Sequence, residues 1–65
     1  MNKSKEKILA SAKELFHENG FQQTSVDEIL KKSSVTKSNF YYHFKSKEEL
    51  GLIILDRFIQ LYESD

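Results

Sequence analysis

The apolar residues at the start of the chain recur at helical rather than alternating spacing. They predict a first helix from about 5 to 19, and Ser4 precedes it as a candidate N-cap. Asn19-Gly20 is a stop signal, because glycine readily takes the left-handed backbone that ends a helix. Phe21 then supplies an apolar anchor just past the end. The apolar stripe consists of Ile8, Leu9, Ala12, Leu15 and Phe16.

Two short helices are predicted next, separated by about three residues. The second helix runs from about 26 to 33, and Ser25 and Glu28 have the spacing of a capping box. The third runs from about 37 to 44, with Thr36 as its cap. Two short helices at this separation are the arrangement of a helix-turn-helix, whose second helix enters the major groove of DNA. Many short α-hairpins bind no DNA, so the spacing alone leaves the function open.

The fourth predicted helix follows Ser46-Lys47-Glu48-Glu49, a second capping-box pattern, and extends to about 63. A helix that is apolar on most of its faces should be buried, and a helix-turn-helix covers only one side of it. We therefore expect an apolar patch on the other side, of the kind that marks an interface. The apolar residues of this helix are Leu50, Leu52, Ile53, Ile54, Leu55, Phe58, Ile59, Leu61 and Tyr62.

These patterns predict an all-α fold. We expect a small bundle of four helices that contains a helix-turn-helix, with a three-helix homeodomain-like core and the start of a fourth helix. The 65 residues leave room for one domain, and the absence of proline agrees with helices joined by short turns.

Composition narrows the class of protein. Without cysteine, no disulfide or thiolate metal site can stabilise the chain. No apolar run approaches the ~20 residues of a membrane span, and no signal peptide is evident, so we expect a cytoplasmic protein without a membrane partner. Catalysis and metal binding are weakly supported, because His17 and His43 form no H-x-x-x-H pair and no nucleophile motif is present.

The charge distribution points to a polyanionic partner. The net charge is zero, but the segment 29–47 contains five lysines and no acidic residue, whereas the remainder contains five basic and ten acidic residues. Such asymmetry carries more information than the sum. A solvated lysine surface with no partner is the simpler alternative. The lysines are Lys31, Lys32, Lys37, Lys45 and Lys47.

Five consecutive rings lie inside the same segment. Phe40 and Phe44 are four residues apart and share a helix face, so we expect them to close the core with neighbouring apolar residues. The core partners are expected to be Ile29, Leu30 and Val35. Tyr41, Tyr42 and His43 must point elsewhere, and their polar tips can donate to phosphate oxygens. A half-buried tyrosine with a solvated hydroxyl would explain any one of them, but three such neighbours beside lysines favour phosphate contacts.

The segments AKELFHENGFQQTSVDEI and VTKSNFYYHFKSKEEL resemble the N-terminal DNA-binding domain of the tetracycline-repressor (TetR) family. The resemblance covers about Ile8 to Leu55, and FYYHFKSKEEL is a specific match at the expected distance from the first segment. It implies sequence-specific binding of a double-stranded DNA operator by the domain of a ligand-responsive bacterial transcriptional regulator, most commonly a repressor. The protein would not be an enzyme.

The resemblance also implies roles for individual residues. Ser25 would touch a phosphate at the start of the second helix, and Tyr42 and His43 would grip phosphates. Lys47 would bind a phosphate through its backbone amide and its ammonium. Tyr41 would lie along the DNA near bases and backbone. The major groove would be faced by Thr36, Lys37, Ser38 and Asn39.

The chain departs from the family pattern at three positions. Ser34 replaces the usual glycine of the turn, and a left-handed serine costs more than a left-handed glycine. Ser38 replaces a frequent glycine early in the third helix, which changes the base-reading surface. Leu30 stands where alanine is usual, which widens the packing between the second and third helices.

Family members are much longer than this chain. By resemblance, residues 1–65 are the DNA-binding domain, and a C-terminal domain that binds a small-molecule effector and forms the homodimer is absent. No cofactor is expected in the DNA-binding domain itself. The rival interpretation is a protein-interaction module that uses the apolar fourth helix rather than the rings.

Overall fold

The structure, a computed structural model, describes the backbone of residues 3–63 and the side chains of residues 3–59. It contains four α-helices: α1 (Lys3–Asn19), α2 (Val26–Ser33), α3 (Lys37–His43) and α4 (Lys47–Glu63). The described residues form no strand, and the prediction of an all-α bundle is confirmed. The side chains of Leu61 and Tyr62, which we assigned to the apolar faces of the fourth helix, lie outside the described residues.

The first helix starts earlier than the pattern predicts. α1 already includes Lys3, so Ser4 lies inside the helix and the prediction that Ser4 caps it is wrong. The lysines on both sides of the serine are strong helix formers and continue the helix through it. The predicted end is confirmed, because Gly20 has a φ of 87° and its amide donates to the carbonyl of Phe16 at 2.9 Å.

The helix-turn-helix has the capping that the sequence predicts. The Ser25 hydroxyl accepts from the Glu28 amide at 3.1 Å, and the Glu28 carboxylate accepts from the Ser25 amide at 2.9 Å. The turn begins at Ser34, which has the left-handed φ of 60° that glycine would adopt at lower cost. Thr36 then caps α3 by accepting from the Asn39 amide at 3.2 Å.

The end of α3 and the capping of α4 differ slightly from the prediction. α3 ends at His43, and Phe44 is extended, although its amide still donates to the Phe40 carbonyl at 2.9 Å. Ser46 caps α4 as expected by accepting from the Glu49 amide at 3.1 Å. The Glu49 carboxylate, however, accepts from the amide of Lys45 at 2.8 Å, one residue before the position that a standard capping box uses.

The core forms where α1 packs against each of the other three helices. Phe40 and Phe44 are 0% and 1% exposed, so the prediction that these two rings are core is confirmed. Leu30, which we expected in this core, lies partly buried against it. The buried apolar residues are Ile8, Leu9, Ala12, Ile29, Val35, Phe40, Phe44 and Leu50.

α4 is buried on one side only. Leu50 is fully buried, and Ile53 and Ile54 pack against the core from its edge. Four large apolar residues on the remaining surface stay exposed, and we call them the α4 patch: Leu52, Leu55, Phe58 and Ile59. The predicted apolar patch is confirmed. In the described part of the chain, no helix is both long enough and apolar enough to cross a membrane.

Candidate nucleic-acid interface

The run of rings divides between the core and the outer surface of α3. Tyr41 is 45% exposed, and its ring meets the buried Phe40 edge-on with the centroids 5.0 Å apart. Tyr42 is 81% exposed and stands edge-on to His43, again at 5.0 Å between centroids. His43 is half-buried. Tyr41 and Tyr42 are therefore exposed on α3, while the buried Phe40 and Phe44 hold the helix against the core.

The first residues of α3 are exposed together with the tyrosines. We call this surface the α3 face, and it consists of Thr36, Lys37, Ser38, Asn39, Tyr41 and Tyr42. The Thr36 hydroxyl also caps the helix, so it is held in a fixed orientation. The α3 face presents hydroxyl, amide and ammonium groups on the second helix of a helix-turn-helix, where the major groove is read in DNA-binding proteins of that type.

The segment that contains the α3 face is rich in positive charge. Lys32 forms an exposed ion pair with Glu14 of α1 at 3.4 Å. Among the residues that the structure describes, no other lysine of segment 29–47 forms an ion pair. Because that segment contains no acidic residue, Lys37 and Lys45 extend from it without a carboxylate of the same segment to neutralise them. A polyanion such as the phosphate backbone complements this field.

Ser25 is exposed, but its polar atoms are already engaged. The Glu28 carboxylate accepts from the Ser25 amide and lies 3.3 Å from its hydroxyl oxygen. A carboxylate thus occupies the N-terminal end of α2, which the resemblance assigns to a phosphate. The structure places the serine at the surface, and its contact with a phosphate stays a prediction.

Lys47 lies at the start of α4, as predicted, but its ammonium turns onto the loop between α1 and α2. It donates to the carbonyls of Phe21 and Thr24, each at 3.0 Å. It also lies 4.4 Å from the centroid of the Phe21 ring. The side chain is half-buried, so Lys47 differs from the exposed lysines of the same segment.

Sequence reasoning missed the loop partners of Lys47. Thr24 is 1% exposed, and its hydroxyl donates to the carbonyls of Gly20 at 2.9 Å and Leu15 at 3.3 Å. Periodicity does not reveal a buried threonine in a loop. The available signal was the four-residue spacing of Lys47 and Gly51, which becomes informative only once the loop is known to lie across α4.

Comparison with known proteins identifies the same part of the chain. The sequence profile described as "Bacterial regulatory proteins, tetR family" matches residues 8–52. The HTH-type transcriptional regulator QacR of Staphylococcus aureus is 56% identical over 52 residues, which cover 80% of this chain and 28% of that protein. The HTH-type transcriptional repressor NemR of Escherichia coli is 36% identical over 59 residues, 91% of this chain and 30% of NemR.

A third relative is named as a negative transcriptional regulator. The biofilm operon icaADBC HTH-type negative transcriptional regulator IcaR of Staphylococcus epidermidis is 41% identical over 46 residues, 71% of this chain and 25% of IcaR. This chain therefore spans less than a third of the length of these three relatives. No solved structure gives a significant match.

Proposed function

The chain belongs to the tetR family of bacterial regulatory proteins, and we propose that it is the DNA-reading domain of a transcriptional regulator of the repressor type that two of its relatives' names describe. The family consists of regulators rather than enzymes. The observation that carries the proposal is the α3 face: exposed polar groups and tyrosine tips stand on the second helix of a helix-turn-helix, inside a lysine-rich segment without acids.

In the proposed complex, α3 lies in the major groove of an operator. Lys37 and Asn39 are the residues suited to read bases, because lysine donates to guanine O6 and N7 and asparagine can pair with adenine through two hydrogen bonds. Thr36, Ser38 and Tyr41 lie along the same surface. The phosphates on either side are held by Ser25, Tyr42, His43 and Lys47.

The proposal extends to the whole regulator as a homodimer. One chain measures 36 × 29 × 17 Å and carries a single α3, whereas two-fold dimers place two recognition helices ~34–36 Å apart on one turn of DNA. The α4 patch offers an apolar surface for contact with further protein of the regulator. A small-molecule effector would bind outside this domain, and the domain itself uses no cofactor.

The α4 patch also supports a second candidate function, a protein-interaction module that binds no DNA. Titration with a short duplex at several salt concentrations distinguishes the two functions. For DNA binding by one α3 we expect a dissociation constant near the nonspecific range of about 10⁻⁴–10⁻⁶ M, weakening steadily as salt rises. Absence of binding at low salt, or binding that salt does not weaken, would favour the interaction module.

Base reading needs a separate experiment. Asn39→Ala should change the preference among duplex sequences, with about 1–3 kcal/mol lost for the preferred one. Lys13→Ala on the exposed surface of α1 serves as the control and should leave the preference unchanged. If Asn39→Ala weakens binding to all sequences equally, Asn39 positions the helix and does not read a base.

A further inference from the structure

The first two turns of α4 contact the loop between α1 and α2. Lys47 and Gly51 are four residues apart and therefore share a face of α4. The Phe21 ring lies over that face, so close that a Cβ on Gly51 would come within 2.7 Å of its Cε1 atom. Phe16 supports the ring from α1, with 5.1 Å between the two ring centroids. We call Phe21, Thr24, Lys47 and Gly51 the loop clamp.

The ammonium of Lys47 is the polar part of the loop clamp. It donates to two backbone carbonyls of the loop, those of Phe21 and Thr24, while it sits over the Phe21 ring. Hydrogen bonds from a charged donor are stronger than those between neutral groups, and the contact with the ring adds to them. An ammonium has three donors, so two of them are committed within the chain.

These hydrogen bonds connect the start of α4 to the start of α2. Thr24 directly precedes Ser25, the N-cap of α2, and Lys47 directly follows Ser46, the N-cap of α4. One side chain therefore links the two helix N-termini at which the proposed function places phosphates. Groups held at the right separation before binding lose less entropy when they bind.

We propose that Lys47 is a positioning residue for DNA binding. Its ammonium fixes the start of α4 against the start of α2, and its backbone amide, not its ammonium, faces a phosphate. This inference rests on the proposed function. A direct bond between the ammonium and a phosphate is the competing role.

The two roles differ in their salt dependence. Lys47→Met keeps an unbranched stem beside Phe21 but removes the donors and the charge. Lys13→Met, on the exposed surface of α1, removes one charge outside the lysine-rich segment and serves as the control. Circular dichroism establishes that both variants are folded. We then expect Lys47→Met to bind a duplex about tenfold more weakly than Lys13→Met, because the start of α4 is no longer held against the start of α2.

The slope of log affinity against log salt should be the same for these two variants. A slope that is smaller by about one unit for Lys47→Met would establish a direct phosphate contact and overturn the inference. Equal affinities of the two folded variants would also overturn it, because the clamp would then serve stability alone.

Phe21→Leu tests the same proposal with a second variant, and it changes no charge. It removes the ring between Lys47 and Gly51 while it keeps an apolar side chain at that position. Positioning predicts weaker DNA binding at an unchanged salt slope, whereas a direct ammonium contact predicts unchanged affinity.

The experiments also distinguish failure of the proposed DNA binding from failure of the positioning role. If the unmodified chain binds no duplex at low salt, DNA binding itself is refuted. The nuclear magnetic resonance signal of the Ser25 amide in the free protein still tests the clamp: it should move in Lys47→Met and stay in place in Lys13→Met. An unmoved Ser25 signal would overturn the positioning role.

Discussion

The α3 face and the α4 patch are both exposed, and they are exposed with opposite chemistry. The α3 face carries hydroxyl, amide, phenol and ammonium groups, and its segment contains no acid. In the α4 patch, Leu52 is 67% and Phe58 51% exposed. The first surface suits a hydrated polyanion, whereas the second gains free energy when another apolar surface covers it. Both surfaces are exposed, so exposure does not distinguish their partners. The side-chain chemistry does.

The two surfaces share one scaffold. Phe40 of α3 and Leu50 of α4 are both fully buried in the same core, which α1 completes. A change in the core should therefore remove both surfaces together. A change on one surface should leave the other intact.

The largest expected effect comes from Phe40→Ala. Removing a buried phenylalanine side chain costs about 3–5 kcal/mol, and a core of this size supplies a total stability of about that magnitude. We expect this variant to lose most of its helical signal in far-UV circular dichroism. Tyr42→Ala, two residues away on the exposed side, should change the free energy of unfolding by less than about 0.5 kcal/mol in a urea titration. Equal destabilisation by the two changes would contradict the division of the rings.

A charge placed on each surface in turn should separate the surfaces. Lys37→Glu puts a carboxylate on the α3 face and should weaken duplex binding by about 1–3 kcal/mol at low salt. Leu55→Glu places the same carboxylate in the α4 patch, where it should leave DNA affinity unchanged and lower the binding of an apolar dye. Fluorescence titrations measure both quantities. Loss of DNA affinity in Leu55→Glu would show that the two surfaces are not independent.

The smallest expected effect is a gain in stability from Ser34→Gly. Ser34 has a φ of 60°, which glycine adopts without a steric cost, and the serine side chain is exposed. Relief of this cost, partly offset by the greater freedom of glycine in the unfolded chain, should raise the free energy of unfolding by about 0.5–1 kcal/mol. Urea denaturation measures this change. A decrease would mean that the turn depends on the serine side chain.

Local patterns predicted most of the fold. The α2 capping box, the stop at Gly20 and the division of Phe40 and Phe44 from Tyr42 depend on residues a few positions apart, which spacing reveals. Ser4 failed as a cap because neighbouring helix formers outweighed a local preference. A single capping residue is therefore a weak predictor of where a helix begins when good helix formers precede it.

The candidate site was predicted less completely. The outward position of Tyr41 and Tyr42 followed from periodicity, whereas the placement of Thr36, Lys37, Ser38 and Asn39 on the α3 face followed from the family resemblance. The fate of the Lys47 ammonium did not, because its partners Phe21 and Thr24 are 26 and 23 residues away along the chain. The Glu28 carboxylate beside Ser25 was implicit in the capping box, but its conflict with a phosphate became apparent only from the geometry.

The most direct test of DNA binding through the α3 face is a duplex titration followed by backbone amide signals in nuclear magnetic resonance. We expect the signals of Lys37, Ser38 and Asn39 to move with added duplex and to return as salt is raised. Signals of Leu55 and Phe58 should stay in place. Shifts confined to the α4 patch, or no shifts at low salt, would contradict the account.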